Sequence, residues 1–579
     1  MERILSVFNV ITRAASMLMV AASIIDYGFP LDAAQAAEIN VLFFILWIIF
    51  LLNRTLRIVA AKGHIRETFK SIGCTVNGLL VLTLLPFLIP EPSGGGLLHG
   101  IWYILHSQLF RNAVLLLLSV LEISDYLTHI LGKRTNPSAV LAMSFLCIIL
   151  LGSILLIMPN CTIPSVNLSW IDSLFTATSA VCVTGLIPLD VAETFTFSGQ
   201  LIIIMLIQIG GLGVMTITSF FALFFMGDVS LNNKMIVKDL VSSESLSSLL
   251  STLLHIVSFT FAIELAGALL IFASIHSTLD MGIEEELFFS VFHSISAFCN
   301  AGFSILPQGM GNPAVLDNNL SIFWILSFLV IFGGIGYPVM MNVKAFVIHK
   351  IKRLRVPRIL GLNTKIVLVM TAILLVSGTV LLAVFEWNGV FAGRSVGWKI
   401  TQAFFNATSP RTAGFSSVSL PRMCIQSVMV YMFLMWIGGA SQSTAGGIKV
   451  NLFAVALLNL RAVMRGQDHV EVHNRELTRN SVHQANATIV LSICVLCFAV
   501  MLMSILEPNI SVKNLLFECI SAISTVGSSL DTTPLLSTAG KTVIIFLMFF
   551  GRVGLLTLFS SMIARKKTRP YRLLKAEIE

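Results

Sequence analysis

Gly185, Gly302, Gly414 and Gly527 recur at intervals of 117, 112 and 113 residues. Each closes a similar stretch: SAVCVTGL (179–186), SAFCNAGF (296–303), TSPRTAGF (408–415) and SAISTVGS (521–528). The chemistry open to these residues is that of the backbone. Glycine reaches angles closed to other residues, so successive carbonyl oxygens can turn toward one axis and replace the hydration shell of a monovalent cation. The loops hold no carboxylate, which argues against an acidic ring of the calcium-selective kind. Asp190 and Glu193 stand nearby and are expected in an ordinary solvated outer loop.

A second group could act as a gate. Residues 438–449 read GGASQSTAGGIK, small and polar in the middle of an apolar segment. Gly438, Gly439, Ser441, Ser443, Thr444, Gly446 and Gly447 would break a spanning helix, which is tolerated where the backbone lines a cavity. The stretch is expected to be a mobile loop below the glycine loops that obstructs ions when closed. Arg552 replaces a glycine inside another apolar segment. A buried charge there must face a cavity or a partner, and beneath a cation pathway it would raise a barrier. Lys449 follows the loop and is expected near the cytoplasmic exit. Glu264 and His293 read as satisfied structural groups, and Arg411 as a brace for the third loop.

The elements that must position these residues repeat four times. Each unit is a long apolar helix, a short amphipathic helix, the glycine loop and a second apolar helix. The first helices are expected at 139–158 and from Leu249, Thr364 and Val482. The second helices are expected from Phe197 (to about Met226), Leu320, Gln426 and Gly540. Midway through each second helix stands a small-residue cluster beginning at Gly210, Gly333, Gly438 and Gly551. Two markers keeping step four times identify one unit repeated. Phe175, Phe292, Phe404 and Phe517, ten residues before each loop glycine, are read as scaffold on the short helices.

Composition sets the class. The chain is 56% hydrophobic and 11% charged, with mean hydropathy +0.90. These values, with apolar runs of about 20 residues, place it in a membrane. The expected architecture is an all-α polytopic membrane protein with four pseudo-four-fold repeats around one pore. About four extra helices precede them, near 5–26, 39–61, 71–90 and 100–130. The units run 1–135 (extra helices), 136–245, 246–360, 361–480 and 481–579 (repeat four with a basic tail). The first apolar stretch lacks a convincing cleavage site and reads as a retained helix. Cys494 and Cys497 read as core-packing residues rather than a redox or metal pair.

Charge orients the chain. Residues 344–365 hold seven basic and no acidic residues, and Arg565 to Lys575 adds six basic ones. Residues 54–70 are basic as well, so these segments belong in the cytoplasm. Both chain ends then lie inside, and every glycine loop faces outward. The net charge of +8 therefore follows membrane topology and implies no nucleic-acid partner. An enzyme is disfavoured because His255, His276 and His293 lack a partner motif, and no organic-cofactor signature is present. Coupled symport with sodium or protons, and a sensor built on the N-terminal helices, remain alternatives to a channel-like pathway.

The segments FTATSAVCVTGL (175–186), SAFCNAGF, SPRTAGF and GGASQSTAGGIKVN (438–451) closely resemble the Trk/Ktr/HKT potassium-transport superfamily, over about 139–565. The resemblance implies a potassium-channel-like fold in one chain, potassium uptake across the cytoplasmic membrane, a homodimer, contact with membrane lipid, and separate cytosolic nucleotide-binding regulatory subunits. It carries the selectivity-filter positions over to Val183, Thr184 and Gly185; Asn300, Ala301 and Gly302; Thr412, Ala413 and Gly414; and Thr525, Val526 and Gly527. It implies a gating role for 438–449 and a pore-lining position for Arg552. Relatives favouring sodium often carry serine at the first filter glycine; retention of Gly185 implies potassium.

Overall fold

The computed structural model describes residues 2–60, 105–131, 137–212, 249–276, 281–352, 360–467, 469–472 and 475–554, with single positions between 80 and 103. Among the described residues the regular structure is helical apart from one short hairpin that pairs Glu471 with Glu476. Among the described residues, three helices lie N-terminal to the repeats: α1 (Glu2–Gly28), α2 (Ala33–Ala60) and α3 (Gln108–Leu131). They share a core of Met19, Phe43, Phe50 and Leu115, and Asn53 Nδ2 donates to Thr12 Oγ1 at 2.6 Å. The extra segment expected near 71–90 lies almost wholly outside the described residues.

The repeats then follow in order. Repeat one comprises α4 (Pro137–Leu156), α5 (Trp170–Val181) and α6 (Phe197–Gly211). Repeat two comprises α7 (Leu249–Ile275), α8 (Ile283–Phe298), α9 (Leu320–Ile335) and α10 (Tyr337–Ile351). Repeat three comprises α11 (Leu362–Glu386), α12 (Val396–Thr408), α13 (Ile425–Trp436) and α14 (Val450–Met464). Repeat four comprises α15 (Arg479–Leu506), α16 (Val512–Ile523) and α17 (Thr538–Val553). The expected extension of the second helix to Met226 and the basic tail lie outside the described residues, as do residues 353–359.

Local chemistry explains where the short helices begin. Ser169, Ser395 and Ser511 cap three of them by accepting from Asp172 N, Trp398 N and Asn514 N. Such caps satisfy N–H groups that no helical carbonyl can reach. The fourth, α8, instead carries Glu284, Glu285 and Glu286 in its first turn, where the helix dipole favours anions. The outer helices show the opposite face to their surroundings. On α11, Val369, Ile373, Val376, Val380 and Val384 form an exposed apolar stripe, as a helix bordered by lipid requires. Cys494 and Cys497 are exposed free thiols on α15, not core residues. Most of that helix's apolar length lies at the surface of the protein.

At the end nearest the glycine loops' exits, each repeat ties the end of its first long helix to the start of its second. Thr196 Oγ1 donates to Asn160 O (2.6 Å), and Asn319 Nδ2 to Ser274 O (2.6 Å). Cys424 N donates to Glu386 Oε1 (2.9 Å), and Ser537 N to Glu507 Oε1 (2.7 Å). The first and fourth repeats are joined by an ion pair between Asp172 and Lys541 at 2.6 Å, each side chain 14% exposed. Removing one partner of a buried pair leaves an uncompensated charge. Lys541→Met should therefore lower the apparent Tm of the purified protein in detergent by several degrees, and adding Asp172→Asn should restore most of the loss.

The small-residue clusters do not sit midway through intact helices, as the sequence implied. Helices α9, α13 and α17 end at them. Gly336 (φ 86°) and Gly554 (φ 91°) adopt left-handed backbone there, and α9 and α10 meet at a bend of 101°. Glycine together with Pro338 accounts for that kink. The reason for small residues is close approach. A Cβ on Gly210, Gly333 or Gly551 would overlap the carbonyl oxygen of Val181, Phe298 or Ile523, the last residue of the preceding short helix in each case.

Candidate functional site

The four glycine loops begin where the short helices end. In each loop the residue two before the glycine has left-handed backbone: Val183 (φ 55°), Asn300 (60°), Thr412 (73°) and Thr525 (50°). The glycines follow suit: Gly185 (φ 92°), Gly302 (71°), Gly414 (76°) and Gly527 (96°). Such angles cost non-glycine residues roughly 1–2 kcal/mol each, so something must impose them.

One serine per loop does. Thr184 N donates to Ser179 O (2.8 Å), Ala301 N to Ser296 O (2.7 Å), Ala413 N to Ser409 O (2.9 Å) and Val526 N to Ser521 O (2.8 Å). The serine hydroxyls add a second bond. Gly185 N and Gly527 N donate to Ser179 Oγ (2.9 Å) and Ser521 Oγ (3.1 Å). Ser296 Oγ donates to Phe303 O (2.8 Å), and Ser409 Oγ to Phe415 O. The N–H groups thus turn back toward the short helices. Among the described residues, no backbone N–H reaches the carbonyls of 183–185, 300–302, 412–414 or 525–527.

These serines stand near the head of each repeated stretch, yet sequence reasoning assigned them no role. The signal available was their recurrence. It is blurred in the third loop, where Ser409 precedes its glycine by five residues and the other serines by six. That one-residue contraction also corrects the phenylalanine series. Counted from the serine, the third member is Phe405, which is 2% exposed like its counterparts Phe175, Phe292 and Phe517 at 0–1%. Phe404 instead stacks on Trp324, with ring centroids 4.8 Å apart.

The loops close on one another. A Cβ on Gly185 would overlap Ala301 O, one on Gly302 would overlap Ala413 O, one on Gly414 would overlap Val526 O, and one on Gly527 would overlap Thr184 O. The circuit runs through all four loops in chain order and returns to its start. Asn300 and Thr412 hydrogen-bond between loops two and three at 3.2 Å. The hydroxyl oxygens of Thr184 and Thr525 are buried without a partner.

The segment 438–449 lies against this ring, between α13 and α14. Gly438 N donates to Ile448 O (2.9 Å) and Ile448 N to Trp436 O (3.4 Å), which draws the two ends of the loop together. Ala440 N donates to Gly334 O (2.8 Å), Thr444 N to Gly333 O (3.4 Å) and Thr444 Oγ1 to Phe298 O (3.2 Å). A Cβ on Gly446 would strike Thr525 Oγ1. Ser443 Oγ bonds Ala440 O (2.7 Å), Ser441 Oγ bonds Asn451 Oδ1 (2.9 Å), and Lys449 Nζ folds back on Ala445 O (2.6 Å).

Arg552 gives one terminal nitrogen to Thr444 O and the other to Gly210 O. Repeats one, three and four therefore meet on one guanidinium, and Thr444 adds repeat two. Arg411 Nη2 donates to Gly438 O at 3.2 Å, so it joins the third glycine loop to the start of this segment. Glu264, His293, Asp190 and His276 each find partners. Gln208 Nε2 donates to both oxygens of Glu264 (3.1 and 3.0 Å). His293 lies between Phe289 O and Ser304 Oγ, both at 2.9 Å. Asp190 Oδ2 accepts from Gln308 N (3.1 Å), which ties the outer loops of repeats one and two. His276 pairs with Glu286 at 2.9 Å.

Known proteins resemble this chain in sequence and in overall fold. The Ktr system potassium uptake protein B of Bacillus subtilis is 36% identical over 432 residues, covering 73% of this chain and 92% of that protein. The potassium/sodium uptake protein NtpJ of Enterococcus hirae is 34% identical over 440 residues, covering 75% and 94%. In three dimensions the chain is similar to the crystal structure of the potassium transporter TrkH from Vibrio parahaemolyticus, with TM-score 0.59 over 85% of this chain and 96% of that one, at 15% identity. The profile of the TrkH family, described as cation transport protein, matches residues 106–571, and the chain belongs to that family.

Proposed function

We propose that this chain is the ion-conducting subunit of a potassium uptake system in the cytoplasmic membrane. The four glycine loops form its selectivity filter, and the segment 438–449 with Arg552 forms its gate. The observation that carries this reading is the closed circuit in which each loop glycine abuts a carbonyl of the next loop. Carbonyls left free by the serine-held N–H groups supply the oxygens that a dehydrated potassium ion requires. The unpartnered hydroxyls of Thr184 and Thr525 would add acceptors. The segment under the filter is held largely by side-chain and backbone hydrogen bonds, which a modest conformational energy can exchange.

The relatives named for potassium uptake support potassium as the transported ion. A homodimer with both termini cytoplasmic, and a separate nucleotide-binding regulatory subunit docked on the basic loops, complete the proposal. The test is radioactive rubidium uptake into proteoliposomes holding this chain alone, with competing potassium or sodium. Uptake blocked by potassium and little affected by equimolar sodium is expected. If the intact chain is silent, deletion within 438–449 should restore flux; silence in both would overturn the pore assignment. Uptake against a potassium gradient driven by a proton or sodium gradient would identify symport instead.

A further inference from the structure

Behind three of the four loops, a polar side chain on the short helix holds a serine eleven residues further on. His293 meets Ser304 (2.9 Å), Asn406 meets Ser417 (2.9 Å) and Glu518 meets Ser529. Each polar residue lies three positions before the serine that shapes its loop, and each bonded serine lies eight positions after it. The register holds even in the contracted third loop. His293, Asn406 and Glu518 are all 0% exposed.

The side chains differ but the work is the same. His293 gives Nδ1 to Phe289 O, a group that only accepts, so its Nε2 accepts from Ser304. Asn406 Nδ2 donates to Ser417 Oγ, and Ser417 in turn donates to Gln402 Oε1 at 2.6 Å. Glu518 Oε1 accepts from both Ser529 and Thr533, the latter at 2.8 Å. Ser304 accepts from Leu306 N (3.2 Å) and Ser529 from Thr532 N (3.0 Å). The His293 and Glu518 clamps therefore fix the turn by which the chain leaves the loop, and the Asn406 clamp ties Ser417 back to its short helix. The first repeat has no such pair. Thr176 there bonds its own helix at Asp172 O (2.8 Å), and the position of the bonded serine is Ile187.

We propose that these three clamps are positioning elements that set ion selectivity by fixing the outer ends of loops two, three and four. The proposal rests on the filter reading above. A carbonyl ring selects between ions of different size only if its spacing cannot relax around the smaller one, whether size or carbonyl field is the operative term. The clamps anchor the side of each loop away from the ring. The Glu518 clamp holds its outer turn at two points through one oxygen, Oε1.

The test compares potassium with sodium as competitors of rubidium uptake in proteoliposomes. Ser529→Ala and Glu518→Leu should each lower the preference for potassium about fivefold or more. Glu518→Gln keeps the Oε1 acceptor and should stay within about twofold of the parent. The double change Glu518→Leu with Ser529→Ala should be no worse than Glu518→Leu alone, because Glu518→Leu already removes the contact that Ser529→Ala removes. Ser304→Ala and Ser417→Ala, which remove only a hydroxyl, should shift selectivity in the same direction. A purely structural role would lower uptake and thermal stability while the ratio between ions stayed constant; that result overturns the proposal. Unchanged selectivity in these variants, alongside altered selectivity in Gly185→Ser, would overturn the clamps and leave the filter standing. No change in Gly185→Ser either would overturn both.

Discussion

Gly185→Ser should lower the preference for potassium over sodium on the order of tenfold, a loss of about 1.4 kcal/mol in discrimination. Two effects combine at this position. The backbone angle of φ 92° lies outside the comfortable range of any residue with a Cβ, and holding it costs roughly 1–3 kcal/mol. The added Cβ would also overlap Ala301 O, a carbonyl of the neighbouring loop. Relief of either strain displaces an oxygen of the ring rather than a side chain. Because Gly527 abuts Thr184 O in turn, the displacement spreads in both directions around the circuit. The measurement is the sodium concentration that halves rubidium uptake, compared between parent and variant. An unchanged value in a protein that still takes up rubidium would remove Gly185 from the filter.

Arg552→Gln should raise the initial rate of rubidium uptake at low external potassium by about tenfold or more. The guanidinium spans Thr444 O and Gly210 O, and so pins the segment 438–449 to the first repeat. Hydrogen bonds from a charged donor contribute roughly 1.5–3 kcal/mol each, and glutamine retains at most a neutral substitute for one. The same change removes a positive charge beside the proposed cation pathway. A unit charge acts on an ion 4 Å away with about 4 kcal/mol at an effective dielectric constant of 20, so the electrostatic barrier falls as the loop is released. Arg552→Lys separates the two effects, because it keeps the charge but cannot bridge both carbonyls with a planar fork. Its uptake should lie between parent and Gln variant. A fall in uptake for Arg552→Gln, with folding intact, would count against a gate at this site.

Much of the architecture was legible because it follows from periodicity and apolar length. The observed starts at Leu362 and Arg479, and at Leu320, Ile425 and Thr538, lie within three residues of the positions inferred from the repeats. The break between Trp436 and Val450 was readable from composition, since Gly, Ser and Thr in an apolar run cannot sustain a lipid-facing helix. Phe405 was missed because fixed counting from a glycine conceals a one-residue contraction. The exposure of Cys494 and Cys497 was missed because a lipid-facing helix is as apolar as a core helix. The clamps were missed because histidine, asparagine and glutamate share no residue type, only a register and a partner.

What the sequence by itself determined is the unit and its number: four glycine loops, each with a short helix before it and an apolar helix on either side. Those features are local, set by spacing, capping residues and hydrophobic length. What only the tertiary structure decided is how the units meet: each glycine against the next loop's carbonyl, Lys541 on Asp172, and Arg552 shared between Thr444 and Gly210. Residues 342 and 369 positions apart are joined in these contacts. No local pattern encodes such pairings, because they arise only when four similar units close into a ring and bury their polar groups against one another.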